Sequence, residues 1–384
     1  MALRFVQIGD AHLGAALAGL PTAVADELRE AARQALRDAF AKARELQVDL
    51  VLMPGDLFEI NGVDPAAQVR FIYAQAERLE PTPVVIAPGN HDPYGPETPY
   101  AAINPPPNVV LFTAPELALV ETRAGMVAGR AYVAGRRADE VDWAALAQPP
   151  AGCVLVLHAS VLRAQDGRKH TETIVPVSPE ALAQSGFAYS ALGHYHDYRE
   201  FARGPAGGPS YAAYAGCPQG LGWDEPGAKG YLIGELGDDG ARLEFVTAAS
   251  HVFQRKELTL PPEYAEDAPR RLETAIAALK GDLDSGDLLD LRVRGRWPEL
   301  RRDELEAVAK DLAKRVWHMR AMDWGEVDFT PPLVERGKSE AVNRFLDNCD
   351  ERTGEGGADG AAWELARYMG HRLLSGRALP DEVA

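Results

Sequence analysis

Cysteine is scarce: Cys153, Cys217 and Cys349 are the three in a chain of 384 residues. So few, spaced so widely, exclude a disulfide framework and a thiolate metal site, and leave small buried or neutral roles. No apolar run approaches the roughly 20 residues that cross a bilayer, which excludes a membrane-spanning helix. The N-terminus runs into an apolar strand pattern with no signal-like stretch, so a cytoplasmic location and no membrane partner are expected. Positive charge is also short: 40 Lys and Arg stand against 57 Asp and Glu, a formal net charge of −17. A protein that grips phosphate backbones carries basic surface where it touches them, and this balance constrains any nucleic-acid reading. Net charge is not local charge, however. Part of the acidity lies among candidate metal ligands, where cations would offset it, and part follows Leu258. Repeats and extended low-complexity segments are missing as well.

What is present is a series of five short acid, amide and imidazole motifs in the first half of the chain: Asp10-Ala11-His12, Gly55-Asp56, Gly89-Asn90-His91-Asp92, His158, and Gly193-His194-Tyr195-His196. Each follows an apolar run that reads as a buried strand, over Leu3–Ile8, Leu50–Met53, Val84–Ala87, Val154–Leu157 and Phe187–Leu192. Helix-period stretches over Ala23–Leu46 and Ala66–Leu79 alternate with the first three of these strands, as a layered sheet packed by helices requires. The fold class is therefore α/β. The motifs fall at strand ends, where the loops of such a sheet bring distant side chains together.

Two carboxylates, one amide oxygen and four imidazoles are enough to hold two divalent ions. Cations about 3.5 to 4 Å apart need a bridging anion, and such a pair can hold a hydroxide between them and clamp a phosphoryl oxygen. Asp56 is the natural bridge. Mixed nitrogen and oxygen donors without thiolate suit manganese, iron or zinc better than magnesium or calcium. Any one motif alone reads equally well as a helix cap or a satisfied core histidine. Five in register do not.

The order and spacing resemble the calcineurin-like metallophosphoesterase superfamily, whose pattern D-x-H, G-D, G-N-H-[DE], H, G-H-x-H is matched throughout. The resemblance implies that Asp10, His12 and His196 hold the first ion, Asn90, His158 and His194 the second, and that Asp56 bridges them. It places His91 outside the ligand set, facing the scissile phosphate as a proton donor. At the third position after the bridging Asp, related phosphatases carry an Asp that pairs with this histidine; here Glu59 stands there, and a Glu59–His91 pair is expected.

From His251 the texture changes. Strand and helix patterns over Phe253–Leu258, Glu266–Leu279, Leu288–Trp297, Arg302–Val316 and Trp317–Asp323 describe a small α+β module, followed by helical stretches over Ser339–Asp350 and Ala361–Leu374. The expected division is residues 1–249, 250–332 and 333–384. The run Tyr214-Ala215-Gly216-Cys217-Pro218-Gln219-Gly220, then Lys229-Gly230-Tyr231-Leu232-Ile233, resembles the segment closing the nuclease core of SbcD/YhaO-type DNA repair exonucleases. Those proteins continue with a capping domain and a helical tail. The resemblance implies a manganese-dependent DNA exonuclease and an SbcC-like SMC-type ATPase partner, and leaves a homodimer open. In the capping module Arg292, Arg294 and Arg296 alternate onto one strand face, a row for a phosphate backbone or a solvated face in a module whose other surface is acidic. Ala341, Val342, Phe345 and Leu346 share one helical side, for docking on a coiled coil or for packing against the chain's own capping module. A small-molecule or cyclic-nucleotide phosphodiesterase, and a DNA-holding subunit of an ATPase complex, are the alternatives.

Overall fold

The computed structural model describes residues 2–136, 141–143, 148–162, 174–202, 209–261, 268–296, 302–328, 339–353 and 357–374. Most of the Gly-Pro run at 203–209, an expected surface loop, lies outside them. Two compact units are present, Met1–Val252 and Phe253–Ala384.

The first unit begins with β1 (Leu3–Gln7), α1 (Thr22–Glu45), β2 (Leu50–Met53), α2 (Pro65–Glu77), β3 (Val84–Ile86), α3 (Pro99–Ala102) and β4 (Val109–Leu111). It continues with β5 (Ala118–Thr122), β6 (Gly125–Gly129), β7 (Val154–His158), β8 (Ser160–Val161), β9 (Pro176–Val177), α4 (Pro179–Gln184), β10 (Tyr189–Gly193), β11 (Arg199–Ala202), β12 (Ser210–Tyr214), β13 (Gly230–Gly237) and β14 (Gly240–Thr247). The first helices start where the local chemistry allows. Pro65 fits the first turn of α2, whose Asp64 side chain accepts from Ala67 N, and Ser178 caps α4 by accepting from Ala181 N.

Two parallel blocks make the large sheet. One is β4-β3-β2-β1, the other β12-β10-β7-β6, and the antiparallel hairpin β13–β14 joins them between β1 and β12. Strands buried on both faces read as continuous apolar runs, and alternate residues enter different cores. Val6, Val51 and Ile86 pack under α1 and α2 with Leu36, Phe40, Val69 and Ile72. On the opposite face Phe5, Leu52 and Val85 share a core with Val154, Val156, Tyr189 and Ala213 of the second block. Leu155, Leu157 and Leu192 face a third core with Val161, Val177 and Leu182. The sheet thus folds over on itself. Gln7 pins the two blocks from inside, donating to Leu192 O and Ala213 O at 3.2 and 2.9 Å and accepting from Tyr189 Oη at 2.6 Å.

In the second unit β15 (Phe253–Thr259), α5 (Ala268–Gly281), β16 (Leu288–Arg296), α6 (Arg302–Ala313), β17 (His318–Met319) and β18 (Asp323–Asp328) alternate, and β15, β17 and β18 all pair parallel to β16. Helical crossovers such as α5 and α6 are what parallel pairing needs. The single strand expected over Trp317–Asp323 is instead two short ones. β17 pairs at Leu288–Leu289, while β18 begins at Asp323 and its register shifts between Arg292 and Arg294. Helices α7 (Glu340–Thr353) and α8 (Gly357–Leu374) pack on each other, burying Val342, Leu346 and Cys349. Phe345 lies so close to Gly370 that a Cβ there would strike its ring. Of the apolar side of α7, for which docking on a coiled coil and packing within the chain were both open, Val342 and Leu346 are buried and Phe345 meets α8, while Ala341 is exposed. No helix among the described residues is long and apolar enough to cross a membrane.

Candidate metal centre

The five motifs all leave the C-terminal ends of parallel strands: β1, β2 and β3 in one block, β7 and β10 in the other. The fold between the blocks brings those ends together. The loops after β1 and β2 run side by side, with Asp10 N donating to Gly55 O at 3.0 Å and His12 N to Asp56 O at 2.9 Å. Asp10, His12, Asp56 and His194 all have positive φ, between 43° and 114°. Side chains other than glycine are found there only where the surroundings enforce it, and such strain collects at functional sites. Asp92, fully buried, holds the backbone at Asp56. Its carboxylate accepts from Asp56 N, Leu57 N and Gly89 N at 2.9, 2.9 and 2.6 Å and from Tyr100 Oη at 2.8 Å.

The imidazoles are held by their outer nitrogens. Glu59 accepts from His12 Nδ1 at 2.7 Å through Oε1 and from His91 Nδ1 at 3.0 Å through Oε2, so the expected Glu59–His91 contact is made, and a second histidine with it. Burial works to raise Glu59, but its hydrogen bonds to both rings hold it down to about 2, which makes it an acceptor at any ordinary pH. His158 Nδ1 donates to Pro54 O at 2.9 Å, and His196 Nδ1 to Glu225 Oε1 at 2.5 Å. With Nδ1 occupied in each, Nε2 turns inward, the arrangement that metal-ligating histidines show.

The inward atoms form two groups around Asp56. Asp10, His12 and His196 make one, and Asp56, His158 and His194 another, their ligand atoms within 4.8 Å of one another in each. Asn90 Oδ1 joins the second group, 3.0 Å from His158 Nε2. Asp56 Oδ2 lies 3.7 Å from His12 Nε2 and 3.3 Å from His158 Nε2, and Asp56 Oδ1 accepts from His91 N at 2.8 Å. Every ligand position expected from the motifs is present in these groups. His91 also approaches Asp56 and His12, but its ring is 45% exposed against 5% for His12 and 2% for His158. It stands at the solvent side of the cluster.

These residues fit cations on three counts. Asp10 Oδ1 accepts from His194 N at 2.8 Å, while Oδ2 is buried with no hydrogen-bond partner in the described structure, an arrangement that is costly without a ligand. His12 Nε2 and His196 Nε2 face each other at 3.0 Å with both Nδ1 atoms already donating, so two lone pairs are opposed unless a proton or a cation sits by them. The donors, oxygen and imidazole nitrogen without thiolate, suit a transition ion.

Electrostatics without ions reinforce the point. Burial pushes Asp10 up to about 7 against the pull of His158 and His196. Burial opposes the charging of Asp56 too, but His158, His12 and His91 carry it well below the usual carboxylate range. His158 and His196 rise to about 9 despite burial, drawn by Asp56 and Glu225 respectively, whereas burial and His158 lower His194 to about 4. Near neutral pH, protons on Asp10, His158 and His196 therefore stand where ligands are needed. Metal uptake is expected to release protons, and affinity to fall as pH drops from 9 through 7. Calorimetric titration with Mn²⁺ in buffers of different ionisation enthalpy reads this directly; an enthalpy independent of buffer would contradict it.

Glu225, Asp92 and the carbonyl of Pro54 were not assigned roles from sequence. Asp92 carried a signal, since it ends the Gly89-Asn90-His91-Asp92 motif. Glu225 carried none. The arginine row lies as expected on one face of β16, but β16 pairs Arg292 with Glu257 and Asp323 and Arg294 with Thr259 and Glu326. Arg294 Nη2 meets Glu257 Oε1 at 2.5 Å. The Glu257 carboxylate thus offsets the charge of Arg294, and Asp323 and Glu326 lie in register beside Arg292 and Arg294.

Residues 3–198, just over half of the chain, match the calcineurin-like phosphoesterase family model. The chain belongs to that family, a class of metal-dependent hydrolases. A curated relative, "Uncharacterized metallophosphoesterase YhaO" of Bacillus subtilis (strain 168), is 27% identical over 289 residues, 70% of this chain and 68% of that protein. Among solved structures, TT1561 of Thermus thermophilus aligns with 64% of this chain and 99% of its own, at 14% identity and a TM-score of 0.37. Purple acid phosphatase from yellow lupin (Lupinus luteus) seeds aligns with 65% of this chain and 52% of its own, at 14% identity and a TM-score of 0.40.

Proposed function

We propose that the protein is a metal-dependent phosphodiesterase acting on DNA, an exonuclease of the repair type, with manganese as its ion. The observation that carries the hydrolytic part is Asp56 reaching the imidazoles of both ligand groups beneath an exposed, carboxylate-backed His91. When bound, a pair of divalent ions supplies Lewis-acid polarisation of a phosphoryl oxygen and a lowered pKa for water. Asp10, His12 and His196 would hold one ion, Asn90, His158 and His194 the other, with Asp56 shared. The residues outside the ligand set handle the leaving group. Glu59, through its hydrogen bond, raises His91 above the ordinary imidazole value and fixes its Nδ1, so Nε2 is free to give a proton to the departing oxygen.

DNA is favoured over a small diester by the likeness of the closing segment to SbcD/YhaO-type nucleases and by the compact second unit that follows the phosphoesterase unit. An SbcC-like ATPase partner belongs to the same reading. The paired arginines of β16 are not needed for it. The discriminating assay gives the purified full chain, with Mn²⁺, end-labelled linear duplex, single-stranded circle and bis-p-nitrophenyl phosphate. Shortening of the duplex from its ends supports the proposal, whereas hydrolysis of the small diester alone favours the small-molecule reading. His91→Asn is expected to lower the turnover of whichever substrate is cleaved by about 10²- to 10⁴-fold, with metal content unchanged. Near-normal turnover in that variant would remove His91 from proton donation.

A further inference from the structure

Glu225 sits outside every motif and outside the residues matched by the family model, in the loop between β12 and β13. Its Oε1 accepts from His196 Nδ1 at 2.5 Å; its Oε2 accepts from Leu221 N at 2.8 Å and faces Cys217 Sγ at 3.8 Å. The loop is also tied to the backbone of the same histidine, since Cys217 N donates to His196 O at 3.1 Å and Gly230 N to Cys217 O at 3.0 Å. Gly216, at φ +77°, lets the chain pass there, for a Cβ would lie 2.6 Å from His196 O. Ring and backbone of His196 are therefore gripped by one short segment.

We propose that Glu225 is a positioning residue for the first ion site, fixing His196 with its proton on Nδ1 so that Nε2 is presented beside Asp10 and His12. The inference rests on the metal reading above. The two ion sites differ in a way that makes it specific. Both imidazoles of the first group are backed by carboxylates, His12 by Glu59 and His196 by Glu225, whereas His158 of the second is backed by the neutral carbonyl of Pro54. An ionised acceptor makes the stronger hydrogen bond and the more basic ligand nitrogen. Removing the charge at Glu225 should then weaken one ion and spare the other.

The test uses the full chain as wild type, Glu225→Gln and Glu225→Asp. Mn²⁺ uptake is counted by electron paramagnetic resonance, and Co²⁺ uptake is followed by visible absorption. Wild type should bind two ions. Glu225→Gln should weaken one of them by about 10- to 100-fold, leave the other unchanged and alter one component of the Co²⁺ spectrum, with Glu225→Asp recovering part of the loss. In Zn²⁺-loaded wild type, labelled with ¹⁵N at histidine, His196 should show a protonated Nδ1, a signal that Glu225→Gln shifts. Two wild-type affinities in Glu225→Gln, or equal weakening of both ions, would overturn the inference. If that variant does not fold, the wild-type spectrum decides, because a His196 protonated at Nε2 in the Zn²⁺ form overturns it equally. A wild type that takes up no ions would overturn the metal reading itself.

Discussion

Asp56→Asn is expected to abolish hydrolysis while leaving the fold intact. The two side chains have nearly the same shape, and an amide at this position still accepts the hydrogen bond from His91 N through Oδ1. What is lost is the charge that His12 and His158 face from opposite groups. Removing a partner that only orients a ligand typically costs 10- to 100-fold in metal affinity. A ligand shared by two ions should cost at least about that for each, so both sites empty at micromolar metal. Loss of one charge from a buried cluster normally strands its partners. Here the stranded groups are imidazoles, which can shed a proton instead, so the fold survives in the variant. Metal content, turnover and thermal midpoint measured together check the prediction. Full manganese occupancy with near-normal turnover would remove Asp56 from the shared position.

The cluster of candidate ligands was legible in the sequence because it depends on local signals: an apolar run marks a strand, and the polar residues just after it mark a loop at the strand's end. Five such signals needed only the sheet to bring their ends together. The Glu59 contact with His91 was expected from the resemblance to phosphatases that carry an Asp at that offset, but the contact with His12 was not, because it depends on the loops after β1 and β2 lying side by side. Glu225 lies 29 residues from His196 with no pattern between them, and the loop that carries it is placed by the β13–β14 hairpin. The same limit explains the arginine row. Alternation within β16 was readable, but Glu257, Asp323 and Glu326 arrive from strands paired at long range. Likewise the apolar side of α7 announced that something covers it, without naming α8. Features closed within one segment were readable from it; of those completed by a distant segment, the expected ones were those for which the family pattern supplied the partner.

Gly89→Ala should produce nearly as large a loss of activity as Asp56→Asn, by displacement rather than by removal of charge. Gly89 is followed by the candidate ligand Asn90, and its own backbone is held by Asp92. A Cβ built there would strike Asp56 Oδ1 and come within 2.7 Å of Asp56 N and 2.9 Å of His158 Cε1. The atoms it meets belong to the carboxylate and backbone of Asp56 and to the imidazole of His158, both members of the proposed centre. None of these can yield without leaving its place, since Asp56 N is fixed by Asp92 and His158 Nδ1 by Pro54 O. Forcing extra volume into packed structure costs about 1 to 3 kcal/mol. A domain with roughly 5 to 15 kcal/mol of stability stays folded through that. Activity should nevertheless fall steeply, because a displacement of about 1 Å at a positioned group can cost on the order of 10²-fold. Gly281→Ala is the control: a Cβ there meets nothing within 4 Å. It should leave turnover unchanged and, at the end of α5, stability unchanged or slightly raised. Metal affinity, turnover and the denaturant midpoint of both variants would be compared at 25 °C. If Gly89→Ala loses stability but keeps both ions and its turnover, Asp56 and His158 have room to move that their contacts do not indicate. The close packing around the shared carboxylate would then not be what sets the geometry of the centre.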